Sequence, residues 1–256
     1  MLASTEAEKG RESLYRELKV IATAPVFNEE LKIGEVVKRV PRDVVDEVLI
    51  VDDGSTDNSP KIATDFGATV ISLGRTIGVG AAIRSAFDYA LTKGYDVIVV
   101  MAGNNKDSPE EIPLLLDPIA DDRADFVQGS RFLNPAATFG DMPFYRRLAT
   151  RAHPWLFSRV ARRRVTESTN GFRSIRTSVL RDPRLDLRKN WLDGYDLEPF
   201  LYLRVIQLGY RTTEVPVTKI YPPRQLGQTK MKPITGWWQM LRPMAYVATG
   251  RWRKAT

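Results

Sequence analysis

The stretch LIVDDGSTDNS, residues 49–59, decides the fold of this chain. Its apolar start has the pattern of a buried strand, and two adjacent carboxylates, Asp52 and Asp53, follow at once. Gly54 permits a tight turn, and Pro60 suits the first turn of a helix that begins directly afterwards. A buried strand that ends in carboxylates and leads into a helix is typical of an α/β sheet with ligands beyond its strand ends.

The same unit of strand and helix recurs on both sides of this stretch. Other segments with the apolar pattern of a strand are 18–27, 68–73 and 95–103. Asn28 is predicted to cap a helix that follows the first of them. Alternating strands and helices predict a mostly parallel central sheet flanked by helices. The strand ends at which ligands are expected are residues 25–29, 52–57, 75–80 and 102–107.

The length and composition fit one large α/β domain, which we expect over residues 18–230. The chain has 256 residues, of which 43% are hydrophobic, and it has no cysteine, which excludes disulfides and thiolate metal sites. Within the domain, 18–125 is predicted to bind a nucleotide, and 126–230 to complete the sheet and bind a second substrate. A polar helical extension (1–17) and an amphipathic basic tail (231–256) are expected to flank it.

The charge balance predicts anionic partners. Lysine and arginine total 38 against 31 aspartate and glutamate, a net charge of +7, which favours nucleic acid, an anionic membrane or a phosphorylated substrate. Nucleic acid is disfavoured because no nucleic-acid-binding motif occurs. Arginine and aromatic side chains alternate in 145–164, and Trp237, Trp238 and Trp252 lie among cations in the tail. Such segments are typical of helices that lie on anionic lipid.

The sequence also predicts where the protein acts. Its N-terminus lacks the apolar core of a signal peptide, and no run approaches the ~18 apolar residues of a spanning helix. We therefore expect a cytoplasmic protein that is soluble or peripheral on the cytoplasmic membrane face. The lone His153 lies in the arginine-rich segment and is assigned no chemistry.

Several blocks, in their order along the chain, resemble the family 2 glycosyltransferases of the nucleotide-sugar (GT-A) fold. The resemblance covers roughly residues 19–230 and is strongest to the dolichol-phosphate mannosyltransferase-like branch. The blocks that carry it are PVFNEE, VDDGSTD, QGSRF, NGFRSIR, GYDLE, EVPV and RQLGQTK. It implies a GT-A α/β fold with a basic aromatic C-terminal segment.

The same resemblance implies an inverting hexosyltransferase. The donor would be a UDP- or GDP-sugar, and the acceptor a polyprenyl (dolichyl or undecaprenyl) phosphate at the membrane face. One alternative is a hydroxyl acceptor on a soluble sugar or metabolite. Another is a catalytically silent domain that binds a nucleotide sugar.

The resemblance also assigns donor-binding residues. The nucleoside would be held by Pro25, Phe27, Glu29 and Asp53. Gly80 lies at a glycine-rich helix entry, and a loop similar to a donor-closing segment carries Arg224 and Lys230. Arg131, at a further strand end, would lie near the phosphates and act in catalysis, since a guanidinium suits phosphate oxygens.

The end of the fourth predicted strand departs from the family pattern. Relatives place an Asp-x-Asp pair there, which holds a divalent cation on the donor diphosphate, but this chain has Ala102 and Asn104. A weakened Mg²⁺ or Mn²⁺ site would use Asn104 and Asp107, since an amide oxygen is an acceptable neutral ligand. Alternatively, Lys106 neutralises the diphosphate directly. Both alternatives stabilise the negative charge of the leaving group.

The acceptor side follows from two blocks. Glu167, Asn170 and Arg173 lie in or beside the block NGFRSIR and are assigned to the acceptor. Asp196 and Glu198 are the candidate catalytic carboxylates. A hydroxyl acceptor needs a general base within hydrogen-bond reach, whereas a phosphate acceptor is already anionic and needs none.

Overall fold

A computed structural model describes residues 15–133, 139–221, 230–232 and 234–254. Its central feature is a seven-stranded sheet in the order β3-β2-β1-β4-β6-β5-β7. The strands are β1 (Val20–Val26), β2 (Glu47–Asp52), β3 (Thr69–Ser72), β4 (Val97–Val100), β5 (Phe126–Ser130), β6 (Arg173–Arg176) and β7 (Thr212–Pro216).

Helices cover both faces of this sheet. They are α1 (Ile33–Lys38), α2 (Ser59–Asp65), α3 (Val79–Thr92), α4 (Ile112–Ala120), α5 (Phe144–Ala161), α6 (Thr177–Leu180), α7 (Leu197–Gln207) and α8 (Thr235–Thr249). Short 3₁₀ turns include Pro109–Glu111, Pro183–Leu185, Asn190–Leu192 and Arg251–Arg253. Among the described residues, no helix is both long and apolar enough to cross a membrane.

The prediction of a mostly parallel sheet is confirmed. Strands β1 to β4 run parallel to one another, and β5 pairs with β7 in the same way. Strand β6 is antiparallel to both β4 and β5 and joins the two parallel groups. The carboxyl ends of β1, β2 and β4 therefore meet at one edge, as predicted for a ligand site.

Two apolar layers hold the sheet between its helices. Along β4, Ile98 and Val100 face a layer that includes Phe87 and Phe200. Val97 and Val99 face the opposite layer, formed with α1 and α4. Alternate side chains of one strand are thus buried on opposite faces, which explains its uninterrupted apolar sequence.

The predicted helix cap at Asn28 is wrong. Helix α1 begins only at Ile33, and Asn28 adopts a positive φ of 52°. Its side-chain oxygen accepts a hydrogen bond from the backbone N–H of Thr56 at 2.8 Å. Asn28 therefore joins the loops after β1 and β2 to each other, and tertiary contact replaces the local cap.

The segment predicted as a tail packs against the domain along α8. Met240, Met244 and Val247 are buried, and Met244 and Val247 join the apolar layer that contains Phe200. His153 of α5 connects to the same helix. Its Nε2 donates to the Met240 carbonyl at 3.0 Å, and its Nδ1 accepts from the Ser168 hydroxyl at 2.7 Å. Helix α8 therefore forms part of the wall around the ligand site.

Candidate active-site cleft

A cleft of about 700 Å³ opens at the carboxyl ends of β1, β2 and β4. One side is lined by the strand ends, including Pro25, Asp53 and Met101, and the other by Trp237 and Met240 of α8. The cleft is thus placed where the sequence predicted ligands. Its size suits a nucleotide sugar, because ligand pockets commonly have volumes of about 300–1,000 Å³.

The predicted nucleoside-binding residues come together at one end of this cleft. Pro25, Phe27, Glu29 and Asp53 all line it. Asp53 is fixed there because one carboxylate oxygen accepts from the backbone N–H groups of Ile77 at 2.7 Å and Gly78 at 3.0 Å. Among the described residues, its other oxygen has no hydrogen-bond partner and can accept from a ligand.

Lys230 closes over the same end. Its ammonium donates to the Asn28 carbonyl at 2.7 Å and lies 5.5 Å from the centroid of the Phe27 ring. Glu29 is buried and forms an ion pair with Lys32, with 2.5 Å between Oε2 and Nζ. Arg224, the other loop residue assigned to the donor, lies outside the described residues.

Gly80 contributes through packing. Its backbone N–H donates to the Asp193 carbonyl at 2.7 Å. A Cβ at this position would clash with the carbonyl oxygens of Leu192 and Gly194. The glycine lets α3 begin against the 192–194 segment, so that Gly194 and Tyr195 reach the cleft wall.

The end of β4 supplies one neutral ligand atom to the cleft. Ala102, Asn104 and Lys106 line the cleft, and the buried Oδ1 of Asn104 has no hydrogen-bond partner among the described residues. Asp107 is not among the lining residues. Its two oxygens accept from the Ala102 N–H at 2.8 Å and from the Lys219 ammonium at 2.5 Å.

These residues do not fit a divalent cation. Mg²⁺ in phosphate sites is usually held by one or two carboxylates together with the substrate. Here the carboxylate of Asp107 is occupied by Lys219, and Asn104 offers a neutral amide. In the described part of the chain, no group of three or more His, Cys, Asp or Glu side chains could hold a metal ion. The assignment of Asn104 and Asp107 as metal ligands stays a prediction that this geometry disfavours.

Lys106 places a cation in the cleft instead. The residue is only 8% exposed, and its ammonium lies 4.8 Å from the centroid of the Tyr221 ring. Burial, followed by the charges of Lys219, Arg146 and Lys32, lowers the pKa of Lys106 to about 7. A nearby anion would relieve this unfavourable concentration of positive charge.

Arg131 lines the cleft and is held by a buried ion pair. Its Nε donates to Glu167 at 2.6 Å, and both side chains are at most 1% exposed. Burial alone would lower the pKa of Arg131, but the charges of Glu167 and Tyr221 outweigh burial and raise it. Glu167 therefore orients the guanidinium and does not itself line the cleft.

Asn170 and Arg173 form a second network beside the first. Asn170 is fully buried; its side-chain oxygen accepts from Lys219 at 2.8 Å, and its amide donates to the Gly129 carbonyl at 3.0 Å. Arg173 pairs with Glu198, with 3.1 Å between Nη2 and Oε1. Glu198 lines the cleft, whereas neither Asn170 nor Arg173 does.

The two candidate catalytic carboxylates lie in different surroundings. Asp196 is fully buried, and its two oxygens accept from Arg242 Nε at 2.8 Å and Nη2 at 2.6 Å. Burial raises the pKa of Asp196, while Arg242 opposes this effect. Asp196 does not line the cleft, so of the two carboxylates only Glu198 is placed to meet a substrate.

Sequence reasoning missed several cleft residues. Tyr221, Arg146, Tyr195, Lys219 and Trp237 line the cleft. Arg146 was one arginine among many in its segment, and its helical position alone did not separate it from the exposed ones. No motif marked Tyr221, whose ring has the Lys106 ammonium at 4.8 Å and the Arg146 guanidinium carbon at 5.7 Å from its centroid.

Comparison with known proteins agrees with this architecture. The chain is 32% identical over 224 residues to an undecaprenyl-phosphate mannosyltransferase of Micrococcus luteus. The matched region covers 84% of this chain and 88% of that protein. It is 33% identical over 221 residues to a polyprenol monophosphomannose synthase of Mycolicibacterium smegmatis, covering 83% and 81% of the two chains.

The fold matches solved structures of another enzyme. Glucosyl-3-phosphoglycerate synthase from Mycobacterium tuberculosis in complex with UDP superposes with a TM-score of 0.67 at 19% identity, covering 94% of this chain and 82% of that one. The same enzyme has also been solved with Mn²⁺ and UDP. The GT-A fold expected from the sequence is therefore confirmed.

The sequence model of glycosyl transferase family 2 matches residues 23–183, more than half of the chain. This match contains the strand ends with Pro25, Phe27 and Asp53, the end of β4 and the Arg131–Glu167 pair. Together with relatives above 30% identity over most of their length, it settles the family and the class of reaction. The chain belongs to glycosyl transferase family 2 and is a glycosyltransferase.

Proposed function

We propose that this enzyme moves a sugar, with inversion at the anomeric carbon, from a UDP- or GDP-sugar to a polyprenyl phosphate at a membrane surface. The observation that carries the proposal is that one helix, α5, supplies a cation to the cleft and an apolar, basic face to the outside. The names of the two polyprenyl-phosphate mannosyltransferase relatives point to the same acceptor class.

The donor would occupy the end of the cleft that Phe27, Asp53 and Lys230 line. The free oxygen of Asp53 can accept from a base or ribose group, and the Phe27 ring with the Lys230 ammonium offers a cation–π wall. The diphosphate would then extend along the cleft toward Asn104 and Lys106. A UDP complex of the structural neighbour supports a nucleoside diphosphate at this type of site.

The acceptor phosphate would meet two further cations. Arg131 and Arg146 both line the cleft. Arg131 is fixed by Glu167, and Arg146 comes from α5, whose outer face carries exposed apolar side chains. A guanidinium can bind phosphate oxygens through several charge-assisted hydrogen bonds. A lipid lying against α5 would thus bring its phosphate to the cleft.

The outer face of α5 has the composition of a membrane-binding surface. Phe144, Leu148 and Trp155 are exposed, Phe144 to 82%. Arg147 and Arg151 lie on the same helix and line an apolar groove of about 400 Å³ with Phe144 and Leu148. Apolar side chains flanked by arginines favour binding at an anionic lipid interface, which supports a peripheral location.

Transfer to a phosphate acceptor requires no general base. An oxygen of the acceptor phosphate forms the new bond to the sugar's anomeric carbon as the bond to the donor diphosphate breaks. The electron pair of that bond leaves with the nucleoside diphosphate, which gains one negative charge while the acceptor loses one. No proton has to be removed, so the main demand on the protein is to stabilise charge on the leaving group.

A hydroxyl acceptor is the second candidate. Glu198 favours it, because this carboxylate lines the cleft and could accept the hydroxyl proton. Its ion pair with Arg173, at 3.1 Å, holds the side chain at that position.

An extraction assay separates the two functions. The purified chain is incubated with labelled UDP- and GDP-sugars and vesicles that contain undecaprenyl phosphate, and the label is counted in the organic phase. We expect label in that phase with the phosphate and none with the unphosphorylated alcohol. Transfer to the alcohol, or to soluble sugars only, would reject the lipid-phosphate acceptor.

A further inference from the structure

The cations around the cleft differ in whether a carboxylate already neutralises them. Arg131 pairs with Glu167, Lys219 with Asp107, Lys32 with Glu29, Arg173 with Glu198 and Arg242 with Asp196. Among the described residues, three cations that line the cleft have no carboxylate within ion-pair distance. These are Lys106, Arg146 and Lys230.

Each of these three cations has a different position. Lys230 lies at the nucleoside end, against the ring of Phe27. Arg146 is carried by α5, on the side where the acceptor is proposed to enter. Lys106 follows β4, next to the positions that would carry the metal-binding carboxylates. It is therefore the cation placed where a donor diphosphate needs its counter-charge.

Neighbouring residues keep Lys106 in this unneutralised state. Asp107, the adjacent carboxylate, is held by Lys219 and by the Ala102 N–H. The Lys106 ammonium itself faces the Tyr221 ring at 4.8 Å. The side chain is buried, with only 8% of the residue exposed. Such an arrangement disfavours the ligand-free state and favours a bound polyanion.

We propose that the Lys106 ammonium replaces a divalent metal ion at the donor diphosphate, so that nucleotide binding and transfer proceed without a cation cofactor. This inference rests on the proposed use of a nucleotide-sugar donor but is independent of the acceptor. When the bond between the anomeric carbon and the diphosphate breaks, its electron pair leaves on a phosphate oxygen. The ammonium stabilises the charge that this oxygen gains.

Calorimetric titration of the full chain with UDP and with GDP tests the proposal. In buffer with EDTA or with Mn²⁺, the Kd of the better ligand is expected to differ by less than about threefold. Lys106→Met is expected to weaken binding about tenfold or more, as for a lost charged hydrogen bond, while Lys106→Arg keeps most of the affinity. Lys61→Met, which changes an exposed lysine on α2, serves as the control and should bind like the parent chain.

Thermal melting without ligand distinguishes a binding role from a structural one. Removing a buried cation that has no carboxylate partner should leave the Tm of Lys106→Met unchanged or higher. A purely structural lysine would instead lower the Tm when replaced. A lower Tm together with unchanged UDP and GDP affinity therefore overturns the proposal.

Two further outcomes are decisive. If EDTA abolishes UDP and GDP binding while Lys106→Met binds like the parent chain, a metal ion performs this role and the inference is wrong. If neither nucleotide binds in either buffer, the inference is also wrong. If nucleotide binding behaves as expected but no lipid is labelled, the proposed acceptor fails while the role of Lys106 stands.

Discussion

The proposed donor side of the cleft, around Asp53, and its proposed acceptor side, around Arg131, are built in different ways. On the donor side, the backbone positions the functional side chains, as when the N–H groups of Ile77 and Gly78 hold Asp53. On the acceptor side, side-chain ion pairs do so, as between Arg131 and Glu167. The donor side thus depends on backbone groups of the loops around the strand ends, and the acceptor side on ion pairs between side chains.

This difference changes how the charged residues around the cleft should be interpreted. Sequence context assigned Glu167 to the acceptor, Asp196 to catalysis and Asp107 to a metal, but each is occupied by a cation of this chain. A buried carboxylate paired in this way orients its partner. The cations and carboxylates that still face the cleft, such as Lys106 and Glu198, are the stronger candidates for substrate contact.

The largest effect is expected from breaking the Arg131–Glu167 pair. Arg131→Met leaves a buried carboxylate without its cation, and the free energy of unfolding should fall by about 3–5 kcal/mol. Urea denaturation followed by circular dichroism measures it. The double variant Arg131→Met/Glu167→Leu should recover part of the loss, since neither charge is then left alone.

An exposed pair provides the control for this prediction. Lys61 and Asp65 form an i,i+4 ion pair on the surface of α2, and Lys61→Met should change stability by no more than about 0.5 kcal/mol. If Arg131→Met is as stable as this control, the buried pair does not hold the acceptor side together. Buried ion pairs would then not distinguish the acceptor side from the donor side.

The next largest effect on stability is expected at Asp196, and it distinguishes the role of Asp196 from that of Glu198. Asp196→Asn weakens the bonds to Arg242 and should cost about 1.5–3 kcal/mol of stability, with kcat per folded molecule unchanged. Glu198→Gln should change kcat by less than about tenfold with a phosphate acceptor, because no proton is removed. Steady-state kinetics and urea denaturation of both variants measure these effects.

Two results would contradict this assignment. A large loss of kcat in Asp196→Asn at normal stability would make Asp196 catalytic despite its pairing with Arg242. A loss of kcat of about 10²–10⁴ in Glu198→Gln would identify a general base and favour the hydroxyl acceptor.

The same contrast explains what the sequence could predict. Pro25 lies near the end of β1, and Phe27 and Asp53 follow directly after strands, so local pattern and topology were enough to bring them to one edge of the sheet. Asp196 and Arg242 are 46 residues apart, and Asp107 and Lys219 are 112 apart. Local pattern does not determine which distant cation neutralises a given carboxylate, because that depends on how α8 and the segment after β7 pack.

The contact between Gly80 of α3 and the 192–194 segment is tested by Gly80→Ala, which should have a smaller effect on stability. An alanine inside a helix would ordinarily be more stable than glycine by about 0.5–1 kcal/mol. At Gly80 the added Cβ would clash with backbone carbonyls of the 192–194 segment, so Gly80→Ala should instead cost about 1–3 kcal/mol. Ser85→Ala in the same helix is the control. Urea denaturation shows whether each substitution raises or lowers the free energy of unfolding. A stabilised Gly80→Ala would show that this close contact is absent.

The smallest effect concerns pH and the joint between α5 and α8. Burial lowers the pKa of His153, and because a carbonyl can only accept, its Nε2 carries the proton of the neutral ring toward Met240. The unfolded chain therefore binds a proton at His153 more readily than the folded chain. The stability that this residue contributes is fully present above its unfolded pKa of about 6.5 and is lost as pH falls below that value.

Urea denaturation between about pH 5 and 7.5 measures this loss, with His153→Gln as the comparison. The parent chain should lose more stability toward pH 5 than the variant does. Carboxylates with ordinary pKa values titrate mainly below this window, and the depressed pKa of Lys106, about 7 against a usual 10.5, affects stability mainly above it. If the free energy of unfolding fell equally with pH in the two proteins, protonation of His153 would cost no stability. The contact between α5 and α8 would then not depend on its neutral ring. The acceptor side would then rely on its arginine–carboxylate pairs alone.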